Sequence, residues 1–428
     1  MRKTTGGRNA RNAVRFLPLL LLLLIPLLPA GRAGAEEAEN ISSACRYEFS
    51  SKNGRYASLT DGKYTTRCRT DTSRNPWMII SSDKPAYGLY LCFETMPDGY
   101  AVQRENGAGE WETVYTGDPE YYHVFYAADG WRRIRIYATS GNRTAMGFNE
   151  VAVFGEGEIP GWVQRWEPAP EKADILFLVA HPDDELLFLG GALAWYGVEK
   201  QKKVTVAYLT KANNTRRSEA LNGLWTLGIR TYPEFGEFRD VYDMGSSLKR
   251  IYMDSGGKEE IQGWVTELYR KYRPDVVVTQ DPDGEYGHMQ HKMVADAAEA
   301  AFSLAADPAA FPESAARYGT WHVMKLYQHL YGAPRDWTQF NWDIPLASLD
   351  GKTVNEKAEE AFAEHVTQQG QGRVSKGVFA AFSVAEYGVK RYPNTAFGLC
   401  ASRVGPDMAH DDLLENTLPV VAEDEEDE

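Results

Sequence analysis

Asp174-Ile175-Leu176-Phe177-Leu178-Val179-Ala180 runs without interruption into His181-Pro182-Asp183-Asp184-Glu185. An apolar run of that length, with no polar alternation, reads as a strand buried on both faces, as strands of a helix-covered parallel sheet do. Where it ends matters most, because in an open α/β sheet ligands gather beyond the carboxyl ends of the strands. Working outward, Lys203 to Leu209 reads as a second strand followed by a helix from about Arg216 to Leu227. A helix from about Glu259 to Tyr272 leads into a further strand, Asp275 to Thr279, and another helix is expected from about Glu185. Apolar strands alternating with helices predict an α/β fold built on a parallel sheet.

His181 and Asp184 stand three apart across the predicted strand-to-helix turn, so both can converge on one ion with Asp183 beside it. Imidazole nitrogen and carboxylate oxygen suit Zn²⁺, whose catalytic sites take three protein ligands and keep one position open. A third ligand is offered beyond the Asp275 to Thr279 strand by Gly287-His288-Met289-Gln290-His291, where His288 and His291 share a helix face. The pattern predicts zinc on His181, Asp184 and His291. Taken singly, a Pro-Asp-Asp after a strand is a turn with a helix cap, and two His three apart are surface residues. Their order behind two predicted strands favours the metal.

The chain before this domain has another composition. From about Ile41 to Phe154 it is short apolar or alternating segments, among them Trp77 to Ile80, Tyr87 to Phe93, Trp111 to Tyr115, Trp131 to Tyr137 and Glu150 to Phe154, separated by turn residues such as Asp61-Gly62 and Pro97-Asp98-Gly99. Many short strands at turn-marked spacing predict a β-sandwich or barrel. Gly155 to Glu171, rich in Gly, Pro and Trp, reads as a linker. The expected organisation is a β module over 41–155, a linker over 156–172, the α/β domain over 173–418 and an acidic tail over 419–428.

The first 35 residues contain six basic residues and no acid, then an apolar run from Phe16 to Ala30 and the small residues Ala33-Gly34-Ala35. That is the layout of a secretory signal, with cleavage expected after Ala35 and a secreted or cell-surface product. The competing reading, an uncleaved anchor, is disfavoured because the run is shorter than the ~20 residues a spanning helix needs, and Pro18, Pro26 and Pro29 interrupt it. Without the signal, 40 basic residues face 60 acidic ones, a net charge of −20. Such a balance argues against nucleic acid as a partner, which needs clustered Lys and Arg. Glu423 to Glu428 are all acidic, a solvated tail. Four cysteines, Cys45, Cys68, Cys92 and Cys400, allow one local bridge, Cys45 with Cys68 or Cys92, and no disulfide scaffold.

The β segment resembles a discoidin-like jelly-roll sandwich, the galactose-binding-like fold of coagulation-factor C domains and many bacterial carbohydrate-binding modules. The resemblance rests on Leu59-Thr60-Asp61-Gly62 with Thr65-Thr66, Trp131 to Tyr137, and Phe148 to Phe154, and implies a glycan or cell-surface ligand. Tyr121, Tyr122 and Trp111 are candidate rings for a sugar face, although a core role is favoured for each. Ala180-His181-Pro182-Asp183-Asp184-Glu185 with the later Gly-His-x-x-His resembles the zinc-dependent LmbE-like (PIG-L) N-deacetylases. That family includes deacetylases of N-acetylglucosaminyl-phosphatidylinositol, of N-acetylglucosaminyl-inositol in mycothiol synthesis and of diacetylchitobiose. The resemblance spans about Asp174 to Glu415 and implies a Rossmann-like parallel sheet with zinc on His181, Asp184 and His291. It further implies Asp183 as general base, and His288 as the group that stabilises the oxyanion or protonates the leaving amine. Tyr286 would polarise the carbonyl, Arg216 would contact substrate, and Asp240 would orient the catalytic His.

Two segments depart from the family pattern. Leu209 to Asn214 lacks a Gly-Glu that commonly touches the sugar, and Met289-Gln290 replaces a frequent Pro-Asp. Neither removes a zinc ligand or the base, so sugar recognition alone is put in doubt. His123, His322, His329, His365 and His410 fall outside the motifs and read as surface or core polar residues, and Trp195 and Trp225 as packing. The expected activity is hydrolysis of the acetamide of an N-acetylglucosamine-type sugar or glycoconjugate. The competing readings are an amidase on another acyl or thiol conjugate and a non-catalytic glycan-binding adhesin.

Overall fold

A computed structural model describes residues 36–51, 55–117, 121–369 and 382–417. The signal assigned to 1–35 and the tail assigned to 419–428 lie outside the described residues. From Glu37 onward the described chain is one compact unit.

Its first part is all β: β1 (Arg46–Phe49), β2 (Cys68–Arg69), β3 (Ser73–Arg74), β4 (Trp77–Thr95), β5 (Tyr100–Glu105), β6 (Trp111–Gly117), β7 (His123–Ala138), β8 (Arg143–Thr144) and β9 (Gly147–Phe154). The segments Trp77 to Ile80 and Tyr87 to Phe93 are one strand: β4 continues through Ser82-Asp83-Lys84-Pro85 with a shift of register against β7. That irregularity lets β4 and β7 bend and serve two half-sheets. The first half of β4 pairs β1 and the end of β7, which also pairs β5, while β6 lies on β5. The second half of β4 pairs the start of β7 and β9, which carries β2. Side chains from both halves, Met78 and Ile80 with Leu89, Leu91, Ile136 and Val153, share one buried cluster, so the halves enclose a common core. All four cysteines are free thiols, which corrects the expected local bridge: Cys68 and Cys92 are buried in strands β2 and β4, and Cys45 follows a 3₁₀ turn.

The second part contains β10 (Ile175–Val179), α1 (Asp184–Leu187), α2 (Gly190–Ala194), β11 (Val204–Tyr208), α3 (Asn214–Leu227), β12 (Glu234–Phe235), α4 (Leu248–Ser255), α5 (Lys258–Tyr272), β13 (Val276–Thr279), α6 (Met289–Leu304), α7 (Pro312–Tyr318), β14 (Lys325–His329), α8 (Val354–Phe362) and β15 (Phe397–Ser402). The sheet order is β12-β11-β10-β13-β14-β15. Five strands are mutually parallel and β15 is antiparallel to β14, so the expectation of a wholly parallel sheet is corrected at one edge. Alternate residues of β10 enter opposite cores: Ile175, Phe177 and Val179 face one cluster, Leu176 and Leu178 the other. This two-sided burial is what the unbroken apolar run encodes. The order reverses at β10, with β11 on one side and β13 on the other, which opens a crevice at its carboxyl end.

The helix expected from Glu185 is broken into α1 and α2. Gly190 and Gly191 allow α8 and Trp342 to approach so closely that a Cβ on Gly191 would meet the indole at 2.5 Å. The segment read as a linker is packed. Val163 and Gln164 are buried, and Trp166 stacks edge-on against Trp225.

Candidate active site

β10 delivers its chain to the crevice with Ala180 N–H donating to Gln280 Oε1 at 2.8 Å, which ties this strand end to that of β13. The next turn is strained. Asp183 has φ +129°, a region that L residues rarely enter and that recurs at functional sites. Its N–H donates to Glu185 Oε2 at 2.8 Å, and fully buried Glu185 is in turn 3.2 Å from His365 Nε2. A buried carboxylate and imidazole 180 residues apart thus hold the turn that presents Asp183.

His181, His288 and His291 are all buried, with one nitrogen of each within 4.8 Å of the others. Asp184 binds the group together. Its Oδ2 is 3.0 Å from His181 Nδ1 and accepts the His181 N–H at 2.8 Å, while Oδ1 is 3.3 Å from His291 Nε2. On its far side His291 Nδ1 contacts Glu285, whose other oxygen is 3.1 Å from His329 Nδ1. A carboxylate at Nδ1 holds a proton there, so in the neutral ring the Nε2 lone pair points into the cluster. That Nε2 is buried and has no hydrogen-bond partner among the described residues. Three imidazoles, one of them with an orphaned buried nitrogen, and a carboxylate are a donor set that fits a divalent cation.

The electrostatics separate the two adjacent aspartates. Burial pushes the Asp183 carboxyl up to about 6, against the pull of Arg216. Burial acts on Asp184 too, but His291 and His181 outweigh it and hold that carboxyl below its ordinary value. Burial alone would lower His291, yet Asp184 and Glu285 raise it to about 9. The same negative charge favours a cation among the rings. Paired carboxyls pushed in opposite directions are the arrangement that divides ligand from proton carrier.

The other expected residues are distributed as follows. Arg216 Nη2 is 2.8 Å from Asp183 Oδ1 and also donates to Pro182 O, so it orients the Asp183 carboxylate. His288 caps α6: its Nδ1 accepts the Gln290 N–H at 3.2 Å. Tyr286 lies edge-on to His288 and His291, with ring centroids 5.7 and 5.3 Å away, and burial raises its phenol above the ordinary value. Asp240, expected beside the catalytic His, is 3.5 Å from His181 Nε2 and 3.9 Å from Arg216 Nη1. Sequence reasoning missed Glu185, Glu285 and Gln290, and read His329 and His365 as ordinary polar residues. Both histidines are core polar residues, and each grips a glutamate of the site. Exposed Tyr242, with its ring 5.4 Å from His288, was also missed. Tyr121 and Tyr122, candidate sugar platforms, turn inward: Tyr121 packs on Tyr232 and Tyr122 lies under Arg217.

Residues 176–302 match the family model described as PIG-L, GlcNAc-PI de-N-acetylase. Among curated proteins, the chain is 29% identical over 185 residues to 1D-myo-inositol 2-acetamido-2-deoxy-alpha-D-glucopyranoside deacetylase 1 of Frankia casuarinae, covering 36% of this chain and 58% of that protein. It is 26% identical over 287 residues to the 1D-myo-inositol 2-acetamido-2-deoxy-alpha-D-glucopyranoside deacetylase of Salinispora arenicola, covering 58% of this chain and 92% of that one. The chain spans less than two thirds of the length of several of these relatives. Among solved structures, N,N'-diacetylchitobiose deacetylase from Pyrococcus horikoshii aligns with 46% of this chain and 71% of its own at 17% identity and a TM-score of 0.35. Chitosan-binding module 1 of the chitosanase/glucanase from Paenibacillus sp. IK-5 aligns with 27% of this chain and 99% of its own at 21% identity and a TM-score of 0.24.

Proposed function

We propose that the protein is a zinc-dependent hydrolase that removes the acetyl group from an N-acetylglucosamine-type sugar or glycoconjugate, a reading supported by the match of residues 176–302 to the PIG-L family model. The observation that carries this reading is the joint packing of Asp183, Asp184, His181, His288 and His291 in one buried cluster at the sheet's crevice. His181, Asp184 and His291 would hold the metal, which when bound supplies Lewis acidity and makes a water molecule easier to deprotonate. Asp183, oriented by Arg216, takes the proton from the attacking water. A carboxyl raised toward neutrality can take that proton and return it to the departing nitrogen, which cannot leave as an amide anion. His288 accepts a backbone N–H at Nδ1, so in its neutral form Nε2 carries a hydrogen that can be donated to the developing oxyanion. Tyr286 offers a second donor to that oxygen.

The β module is proposed to hold the enzyme on a glycan or cell surface. Trp111, half-buried beneath Arg133 and Arg135 on the outer sheet face, is the aromatic candidate left to such a ligand. Export is proposed from residues 1–35, and sequencing the N-terminus of the secreted protein tests cleavage after Ala35. The activity is tested by measuring acetate released from chitooligosaccharides, peptidoglycan fragments and N-acetylglucosaminyl lipids by zinc-loaded protein and by Asp183→Ala. Release from one class, abolished in the variant, is expected. Equal release by the variant would remove Asp183 as base.

A further inference from the structure

Gln290 occupies a position of unusual constraint. It is fully buried in the first turn of α6, and its amide is held by two backbone groups that can each act in one way only. Its Nε2 donates to the Arg239 carbonyl at 2.8 Å, and its Oε1 accepts the Val241 N–H at 2.9 Å. A carbonyl cannot donate and a backbone N–H cannot accept, so these bonds fix which end of the amide is oxygen. A third bond, Nε2 to Ser255 Oγ at 2.8 Å, uses the second amide hydrogen. The oxygen so fixed is 2.8 Å from His181 Nε2. It has no proton to give, so His181 Nε2 must be the donor. In the neutral ring the lone pair then lies on Nδ1, the atom that faces Asp184.

We propose that Gln290 is a positioning residue that locks His181 as the Nε2–H tautomer and makes Nδ1 the sole nitrogen of that ring available to a cation. The inference rests on the metal reading above, and Gln290 itself touches neither substrate nor reacting atoms. The site's two orienting devices therefore differ. His291 is held by the carboxylate of Glu285, whereas the hydrogen-bond partner of His181 Nε2 is a neutral amide, with the Asp240 carboxylate farther off at 3.5 Å. The lock also joins three parts of the fold, since Gln290 binds the end of α4 through Ser255 and the 239–241 loop beside Asp240.

The test uses the full chain loaded with cadmium and nitrogen-labelled at histidine, read by metal–nitrogen coupling in NMR, with zinc affinity measured by competition against a chromogenic chelator. Wild type should couple cadmium to His181 Nδ1 and keep a proton on Nε2. Gln290→Leu, which cannot accept, should lose that selectivity and bind zinc ~10- to 100-fold more weakly, the usual cost of removing a ligand's outer partner. Gln290→Glu keeps an acceptor for His181 and Val241 but loses both donor bonds. It should retain Nδ1 coupling if the acceptor is what matters, and should fail like the leucine variant if Gln290 only braces the loop, which would overturn the proposal. Coupling to Nε2 in wild type, or Gln290→Leu binding zinc as tightly as wild type with unchanged coupling, would also overturn it. Protein that couples cadmium through Nδ1 yet releases no acetate would remove the proposed activity and leave this inference standing. Protein that binds no metal would overturn both.

Discussion

Arg216 and Arg217 are neighbours on α3 and meet opposite chemistry. Arg216 turns into the crevice, where Asp183 and Asp240 compensate its charge. Arg217 turns toward the β module, where it is buried with no carboxylate in ion-pair range among the described residues. It donates to Asn214 Oδ1 and to the carbonyls of Phe93 and Glu94, and lies over the Tyr122 ring. The rest of that face continues in neutral hydrogen bonds. His123 Nε2 meets Ser218 Oγ at 3.2 Å, His123 Nδ1 meets Gln164 Oε1 at 2.8 Å, and Gln164 Nε2 donates to Asn222 Oδ1 at 2.7 Å. One flank of the helix is thus a charge-dense site and the other a polar seam that no ion pair crosses among the described residues, the Glu94 carboxylate being paired by Arg67 within the β module. The seam shows that the β module is packed onto the helix that carries Arg216, so it is part of the frame of the site and not a tethered appendage.

The largest separation between the flanks should come from Asp183→Asn. Removing a general base costs ~100- to 10,000-fold in rate, and the variant should keep its thermal stability because the turn is held through the Asp183 backbone. Acetate release and a melting curve together check both halves of that expectation.

The seam should respond to acid. Burial pushes the His123 imidazole down to about 3, whereas the unfolded chain titrates near ~6.5. The unfolded state therefore binds the extra proton between those limits. The stabilisation is fully present above the unfolded value and is lost progressively as pH falls through 6.5 toward 3, by an amount on the order of a few kcal/mol. Denaturant unfolding of wild type and His123→Gln at pH 7 and pH 5 measures it, with a smaller pH dependence expected in the variant. Equal slopes would show that His123 is not the seam's titrating group.

A smaller effect is expected from Arg217→Met. It strands two carbonyls and loses packing on Tyr122, a cost of roughly 1–3 kcal/mol, with KM and kcat changing far less than in Arg216→Met. The smallest belongs to Trp111→Ala, which should leave acetate release from a small soluble substrate unchanged while weakening retention on an insoluble glycan.

What could be read from the sequence follows from how locally each feature is encoded. The β10 strand and its His-Pro-Asp-Asp exit are contiguous, and His288 with His291 share one helical turn, so the cluster was legible. Its supports were not, because they join residues far apart. Glu185 meets His365 and Glu285 meets His329, pairs separated by 180 and 44 positions. Gln290 looked like a loss because a family carboxylate was missing, and its function emerges only from the backbone groups of residues 239 and 241. Two boundaries misled for a physical reason. Ser82-Asp83-Lys84-Pro85 has turn composition but lies on a bend of β4, and Gly155 to Glu171 has linker composition but packs Gln164 and Trp166 into the seam. The antiparallel β15 lies across the sequence from its partner and carries no marker of direction.

The crevice of β10 is the proposed seat of metal-dependent deacetylation. That assignment is tested most directly by following acetate and free amine together from an N-acetylglucosaminyl substrate, before chelation, after it, and after zinc is restored. Equal release of both products, abolished by the chelator and recovered with zinc, is the predicted result. Acetate release that survives complete removal of metal would contradict it.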